Sequence, residues 1–218
     1  ISPKVPLPMA VPHPKILFII CNTYTAEQYK LGSGPLNDSI AVASFLKQLG
    51  YTVFYLHNTT SKIFIEWFRH ILKNATADLT LFFAGYAITP KEEEANGKND
   101  VIYFDDGYVK DEEISDLLSQ CRGPKQRTVL LTDCCHSGTV WDLDSFKKKA
   151  PQNVLSISPA KDSEPLDSKD QGIFTFYFWK IWSQNQSITI KQMKEEIATP
   201  LSKYNIHLDY YSTTPELA

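Results

Sequence analysis

Hydrophobic positions along the chain alternate between two periods. Lys15-Ile-Leu-Phe-Ile-Ile-Cys21 is a continuous apolar run, which predicts a strand buried on both faces. A Gly/Ser loop from Leu31 to Pro35 follows. Ile40, Val42, Ala43, Phe45, Leu46 and Leu49 then fit a 3.6-residue period, predicting a helix capped by Asn37 or Asp38 and closed by Gly50. Tyr51 to Leu56 reads as the next strand and Thr60 to Asn74 as the second helix. Leu79 to Phe83 is a third strand and Val101 to Phe104 a short or edge strand. Asp111 to Gln120 is a third helix and Thr128 to Thr132 a further buried strand. Val154 to Ser158, Phe174 to Ser183 and Ile190 to Ile197 complete the pattern as strand, apolar helix and amphipathic helix. Strands and helices alternating at this spacing predict an α/β fold with a mostly parallel central sheet and helices on both faces. Pro3, Pro6, Pro8, Pro12 and Pro14 block both helix and ladder, so residues 1–14 read as an extended arm ahead of a domain spanning 15–218.

Composition narrows the function classes. The 218 residues carry 22 basic and 25 acidic side chains, and 43% are hydrophobic, which is ordinary globular composition. A net charge of −3 supplies no positive field for nucleic acid or an anionic membrane, and no apolar run is long enough to span a bilayer. Cys21, Cys121, Cys134 and Cys135 show neither zinc nor disulfide-framework spacing, so free thiols in a reducing, cytoplasmic compartment are expected. The charge is uneven. Lys91 to Glu113 holds nine acids against three lysines, a local charge of −6 that also suits a solvated loop and helix start.

In parallel sheets, chemistry sits beyond the carboxyl ends of the strands. Asp133-Cys134-Cys135-His136-Ser137-Gly138 follows one of the buried strands and places a carboxylate, two thiols and an imidazole at that end. Buried structural cysteines are the plainer reading of the same residues. The stretch nevertheless resembles the Asp-x-Cys-His-Ser-Gly motif of metacaspases, cysteine peptidases of the caspase fold. Other stretches match in the same order: Asn37-Asp38, Leu79 to Ala87, Lys110 to Glu113, Thr139 to Leu143, Gly172-Ile-Phe-Thr175 and Thr214-Pro-Glu-Leu217.

The resemblance implies a caspase-like three-layer sandwich and residue roles. Cys135 would be the nucleophile. Asp38 and Asp133 would line a pocket for Arg or Lys in a peptide or protein substrate, through charge-assisted pairing with the cation. A helix cap is the plainer reading of Asp38. Asp111, Glu112 and Asp142 would correspond to calcium-binding acids of the family, although the peptidase chemistry itself requires no cofactor. Lys147-Lys-Lys149 falls where relatives carry a self-cleaved loop, and also reads as an exposed basic cluster.

One departure bears on activity. The family's catalytic histidine falls on Tyr86 and the following glycine, at the oxyanion-hole position, on Ala87. A phenol titrates near 10, so at neutral pH it neither accepts a thiol proton nor protonates a leaving amine. The other histidines, His13, His57, His70 and His207, read as core or surface residues, with His57 or His13 as conceivable substitutes for the base. The expectation is a monomeric metacaspase-like domain with impaired catalysis. The alternative is an active Arg/Lys-directed endopeptidase using another base. A nucleotide-binding domain is the weakest reading, because Gly32-Ser-Gly34 lacks the P-loop lysine.

Overall fold

The computed structural model describes residues 12–88, 101–134, 153–161 and 168–214. A six-stranded sheet forms the middle layer. It comprises β1 (His13–Cys21), β2 (Thr52–His57), β3 (Ala75–Gly85), β7 (Arg127–Cys134), β8 (Val154–Lys161) and β9 (Ile206–Ser212), in the order β2-β1-β3-β7-β8-β9. All neighbours are parallel except β8 and β9, which run antiparallel. A second, antiparallel sheet joins β4 (Ala87–Ile88), β5 (Val101–Phe104) and β6 (Gly107–Lys110).

The apolar run of β1 explains the layering. Ile16, Phe18 and Ile20 point to one face, where α2 (Ser61–Asn74), α3 (Asp111–Cys121) and the small sheet contribute Phe64, Phe68, Ile114 and Phe104. Leu17, Ile19 and Cys21 point to the other. There α1 (Gly34–Gln48), α4 (Ser168–Gln184) and α5 (Ile190–Ser202) contribute Val42, Leu46, Phe174 and Ile197. A strand covered on both sides has no polar face to alternate with, so its sequence is uniformly apolar. The three-layer α/β architecture is therefore as expected.

Several boundaries differ from the sequence reading. β1 starts at His13, paired with Ala75, and its register shifts between His13 and Lys15, where Pro14 has no N–H to give the ladder. Helix α1 starts at Gly34 with Ser33 as its N-cap, because Pro35 suits the first turn. Asn37 and Asp38 therefore lie inside the helix, and the expectation that either caps it is corrected. Strands β4, β6 and β9 were not anticipated. In β9 the signal was present: Ile206 and Leu208 are buried, alternating with less buried His207 and Asp209. Thr60 does cap α2, its hydroxyl accepting the Ile63 N–H at 3.2 Å.

No helix among the described residues is long and apolar enough to cross a membrane. Of the cysteines, Cys21 and Cys121 are free thiols, Cys21 fully buried.

Candidate active site

The carboxyl ends of three adjacent strands finish level. Cys21 of β1 pairs with Ala84 of β3, Ala84 with Asp133 of β7, and Gly85 with Cys134. Immediately beyond these pairs in the chain come Asn22-Thr23-Tyr24, Tyr86 and Cys135. Cys135, His136, Asp142 and Lys147 to Lys149 lie outside the described residues. The strand register nonetheless delivers Tyr86 and the chain leading to Cys135 to the same edge of the sheet.

Tyr86 is held by its backbone. Asn58, at φ +47°, accepts the N–H groups of Thr23 and Tyr24 at 2.8 and 3.1 Å on its side-chain oxygen. This fixes Tyr24 in the left-handed region, φ +62°, and turns its ring onto that of Tyr86, with centroids 5.0 Å apart. The Tyr24 hydroxyl accepts the Tyr86 N–H at 2.6 Å and donates to the Tyr103 carbonyl at 3.1 Å. In turn the Tyr103 N–H donates to the Tyr86 carbonyl at 3.0 Å. These bonds engage the backbone of Tyr86, and its ring adds the stacking contact with Tyr24. Ala87 begins β4, fully buried and paired with Ile102. Its strand backbone is one that any residue adopts, so alanine stands there without the strain that a left-handed glycine position would impose.

Gly85 is required by this arrangement. A Cβ there would lie 2.8 Å from the Tyr24 hydroxyl and 3.0 Å from the Phe83 ring. Gly85→Ala is expected to destabilise the fold by about 1–3 kcal/mol through overpacking. Urea unfolding measures the loss, and Tyr24→Phe in the same background should recover part of it by removing the nearest atom.

The two aspartates meet beside this edge. Asp133 is 1% exposed. Its Oδ2 accepts the Thr175 hydroxyl from α4, and its Oδ1 has no partner among the described residues. Asp38, half-buried on α1, reaches toward the start of α4, where a Cβ on Gly172 would stand 3.9 Å from its Oδ2. Burial raises the Asp38 carboxyl to about 6. Burial also pushes Asp133 well above the carboxylate range. The neighbouring charge of Asp38 adds to that shift and the Thr175 hydrogen bond opposes it. Both carboxyl groups resist ionisation, and the Asp133 Oδ1 has no hydrogen-bond partner among the described residues. Thr175 was not anticipated as a site residue. The Gly172-Ile-Phe-Thr175 stretch was visible in sequence, but nothing local showed that its hydroxyl faces β7. The Cys21 thiol lies close by and is raised by burial, partly offset by hydrogen bonds with Ser39 and Tyr55, which leaves it poorly suited to nucleophilic chemistry.

The described histidines lie elsewhere. His57 pairs in register with Cys21 on β2 and contacts the Thr23 hydroxyl at 3.1 Å. β2 is three strand spacings from β7, about 14 Å, well beyond hydrogen-bond reach. His13 opens β1 at the opposite end of the sheet, His70 sits in α2, and His207 lies on the outer strand β9, 3.4 Å from Asp209.

Of the three expected calcium ligands, Asp111 is buried at the first turn of α3, where its Oδ1 accepts the Glu112 N–H at 2.7 Å, and Glu112 is exposed. Among the described residues no three ligating side chains come together in a metal-holding group. The donor chemistry is all oxygen, suited to a hard cation, but the set is incomplete without Asp142.

Comparison with known proteins agrees with the architecture. The caspase domain family model matches residues 14–216. Metacaspase III c of Phaeodactylum tricornutum is 29% identical over 103 residues, which are 43% of this chain and 30% of that protein. The match thus spans less than a third of that relative's length. Among solved structures, the Drosophila initiator caspase Dronc superposes with a TM-score of 0.67 at 12% identity, covering 91% of this chain and 79% of that one. Caspase-1 from Spodoptera frugiperda gives 0.66 at 10% identity over 93% and 89% of the two chains. A Geobacter sulfurreducens protein gives 0.66 at 17% identity over 91% and 93%. At these identities the structures establish the fold, and the family model establishes the membership. The chain belongs to the caspase domain family and has the fold of a caspase-like cysteine peptidase domain.

Proposed function

We propose that this chain is a metacaspase-type domain that receives Arg- or Lys-bearing peptide segments but cleaves them poorly, its catalytic base having been replaced by Tyr86. The observation that carries this reading is half-buried Asp38 beside buried Asp133, whose Oδ1 has no partner among the described residues. A guanidinium has enough N–H donors to satisfy both carboxyl groups and offsets the cost of ionising them. Cys135 follows β7 directly and is the proposed nucleophile. Attack of its thiolate on the peptide carbonyl would form an acyl-enzyme and expel an amine, which leaves readily only when a proton is delivered. At position 86 the only candidate donor is a phenol, which holds its proton to about pH 10. Ala87 keeps an N–H at the proposed oxyanion position. Asp111, Glu112 and Asp142 are proposed as an accessory calcium site outside the bond-breaking chemistry.

The alternative, an active endopeptidase using another base, has His57 as a described candidate, and its position on β2, three strands from β7, argues against it. Reporter peptides with Arg, Lys or Asp before the cleavable bond, assayed with millimolar calcium, separate the readings. The proposal expects Arg and Lys peptides to bind and to turn over at or near background, and the Asp peptide not to bind. Robust turnover abolished by Cys135→Ala would establish the alternative.

A further inference from the structure

The six-stranded sheet ends on two different edges. At β9, Asp209 stands beside Lys194 and His207, at 3.9 and 3.4 Å, and charge of this kind guards an edge against further pairing. At the other end β2 reads Thr52-Val-Phe-Tyr-Leu-His57, with no proline and no Lys, Arg, Asp or Glu. Among the described residues it pairs with β1 alone. We propose that β2 is a dimerisation edge. A second copy of this chain adds its own β2 antiparallel, about a two-fold axis at Tyr55, in place of the monomer expected from the sequence.

Three observations select that partner. The first is the set of open backbone groups. The Asn58 N–H donates to the Cys21 carbonyl at 3.0 Å. By the alternation of a ladder, Leu56 and Phe54 also face β1, while Val53, Tyr55 and His57 turn their N–H and carbonyl groups outward. Among the described residues these outward groups have no hydrogen-bond partner. An axis at Tyr55 sets Val53 against His57 of the second copy and Tyr55 against itself, so every outward group is used. An axis one residue to either side leaves His57 or Val53 opposite a residue outside β2. The second observation is the side chains. In that register Tyr55 meets Tyr55 and Phe54 meets Leu56, both favourable cross-strand pairs, and no like charges oppose. Tyr55 is 41% exposed, with its hydroxyl bonded to Cys21. The third is the flank of α1. Phe45 turns toward Trp179 and Trp182 of α4. Ile40, about 140° round the helix from Phe45, therefore turns to the β2 side. It is 55% exposed, with half-buried Leu36 and Ala43 a turn to either side. The two-fold lays both α1 stripes on one face of a continuous sheet, flanking the Tyr55 pair. The inference does not depend on whether the domain cleaves peptides.

Sedimentation of the whole chain is the test. A monomer–dimer equilibrium with a Kd below about 50 μM is expected. Tyr55→Lys and Tyr55→Glu each place like charges directly opposite across the axis and should weaken the dimer at least about tenfold, while a mixture of the two should form a heterodimer. Ile40→Lys changes a side chain that is already exposed and should weaken the dimer about fivefold, which keeps the test available should position 55 not tolerate charge. Cysteine variants under mild oxidation read the register. Tyr55→Cys should give a dimer linked through position 55, where the two Cα atoms would stand about 5.5 Å apart, and His57→Cys should give none linked through position 57. A monomer up to about 200 μM would overturn the proposal, as would a dimer indifferent to Ile40→Lys and to charge at position 55, or one linked through position 57.

Discussion

Tyr86→His is expected to raise cleavage of an Arg-containing reporter peptide by about 10²–10⁴ over the unaltered chain, the usual contribution of a positioned acid–base group. The expectation rests on how position 86 is held. Tyr24 and Tyr103 bind its backbone N–H and carbonyl, so an imidazole there would leave the strand end at the same place. The stacked ring of Tyr24, centred 5.0 Å from that of Tyr86, offers an imidazole the same flat surface. Activity gained in this way should disappear with Cys135→Ala in the same background. The kcat/KM ratio is the measurement. Most of the gain should appear in kcat, because the substituted group acts on proton transfer rather than on the aspartate pocket.

The second large effect concerns Asp133. Its carboxyl is raised by burial, and so is that of Asp38, the latter to about 6. Below about pH 4 both are protonated whether the chain is folded or not, and neither opposes folding. As the pH rises, the unfolded chain ionises first, so stability contributed at low pH is lost. For Asp38 that loss is complete once the pH has passed about 6, and for Asp133 it continues further. Asp133→Asn keeps an oxygen to accept the Thr175 hydroxyl but cannot ionise. It should therefore stabilise the folded chain by about 1–3 kcal/mol at pH 8 and have little effect at pH 4, as read by urea unfolding. The same substitution should weaken an arginine-bearing ligand at least about tenfold, while in the unaltered chain that ligand should bind more tightly as the pH rises through 6. Greater stability without loss of cation binding would show that Asp133 is a structural residue only.

Much of the scaffold was legible because burial on both faces imprints uniform apolar runs. β1, β3 and β7 could be found that way, and α2 from its period and the Thr60 cap. The proximity of Asp38 and Asp133, 95 positions apart, followed from resemblance alone; no local pattern encodes it. The capping reading of Asp38 failed because Pro35 lets α1 begin a turn earlier than the polar pair suggested. Tyr24 and Thr175 were invisible for another reason. Tyr24 acts from an irregular segment whose left-handed backbone is stabilised by Asn58, 34 residues away. Thr175 acts through one hydroxyl within the otherwise apolar run from Ile173 to Trp179. The small sheet escaped notice because β4 and β6 are too short to show a period.

Site-resolved alkylation of Cys135 by iodoacetamide, followed by mass spectrometry as a function of pH, tests whether the thiol lacks a cationic partner. A midpoint near an ordinary thiol value, about 8.5, is expected for the unaltered chain, falling when Tyr86→His supplies an imidazole. A midpoint well below about 7 in the unaltered chain would reveal a base already paired with Cys135 and contradict the loss of catalytic function proposed for Tyr86.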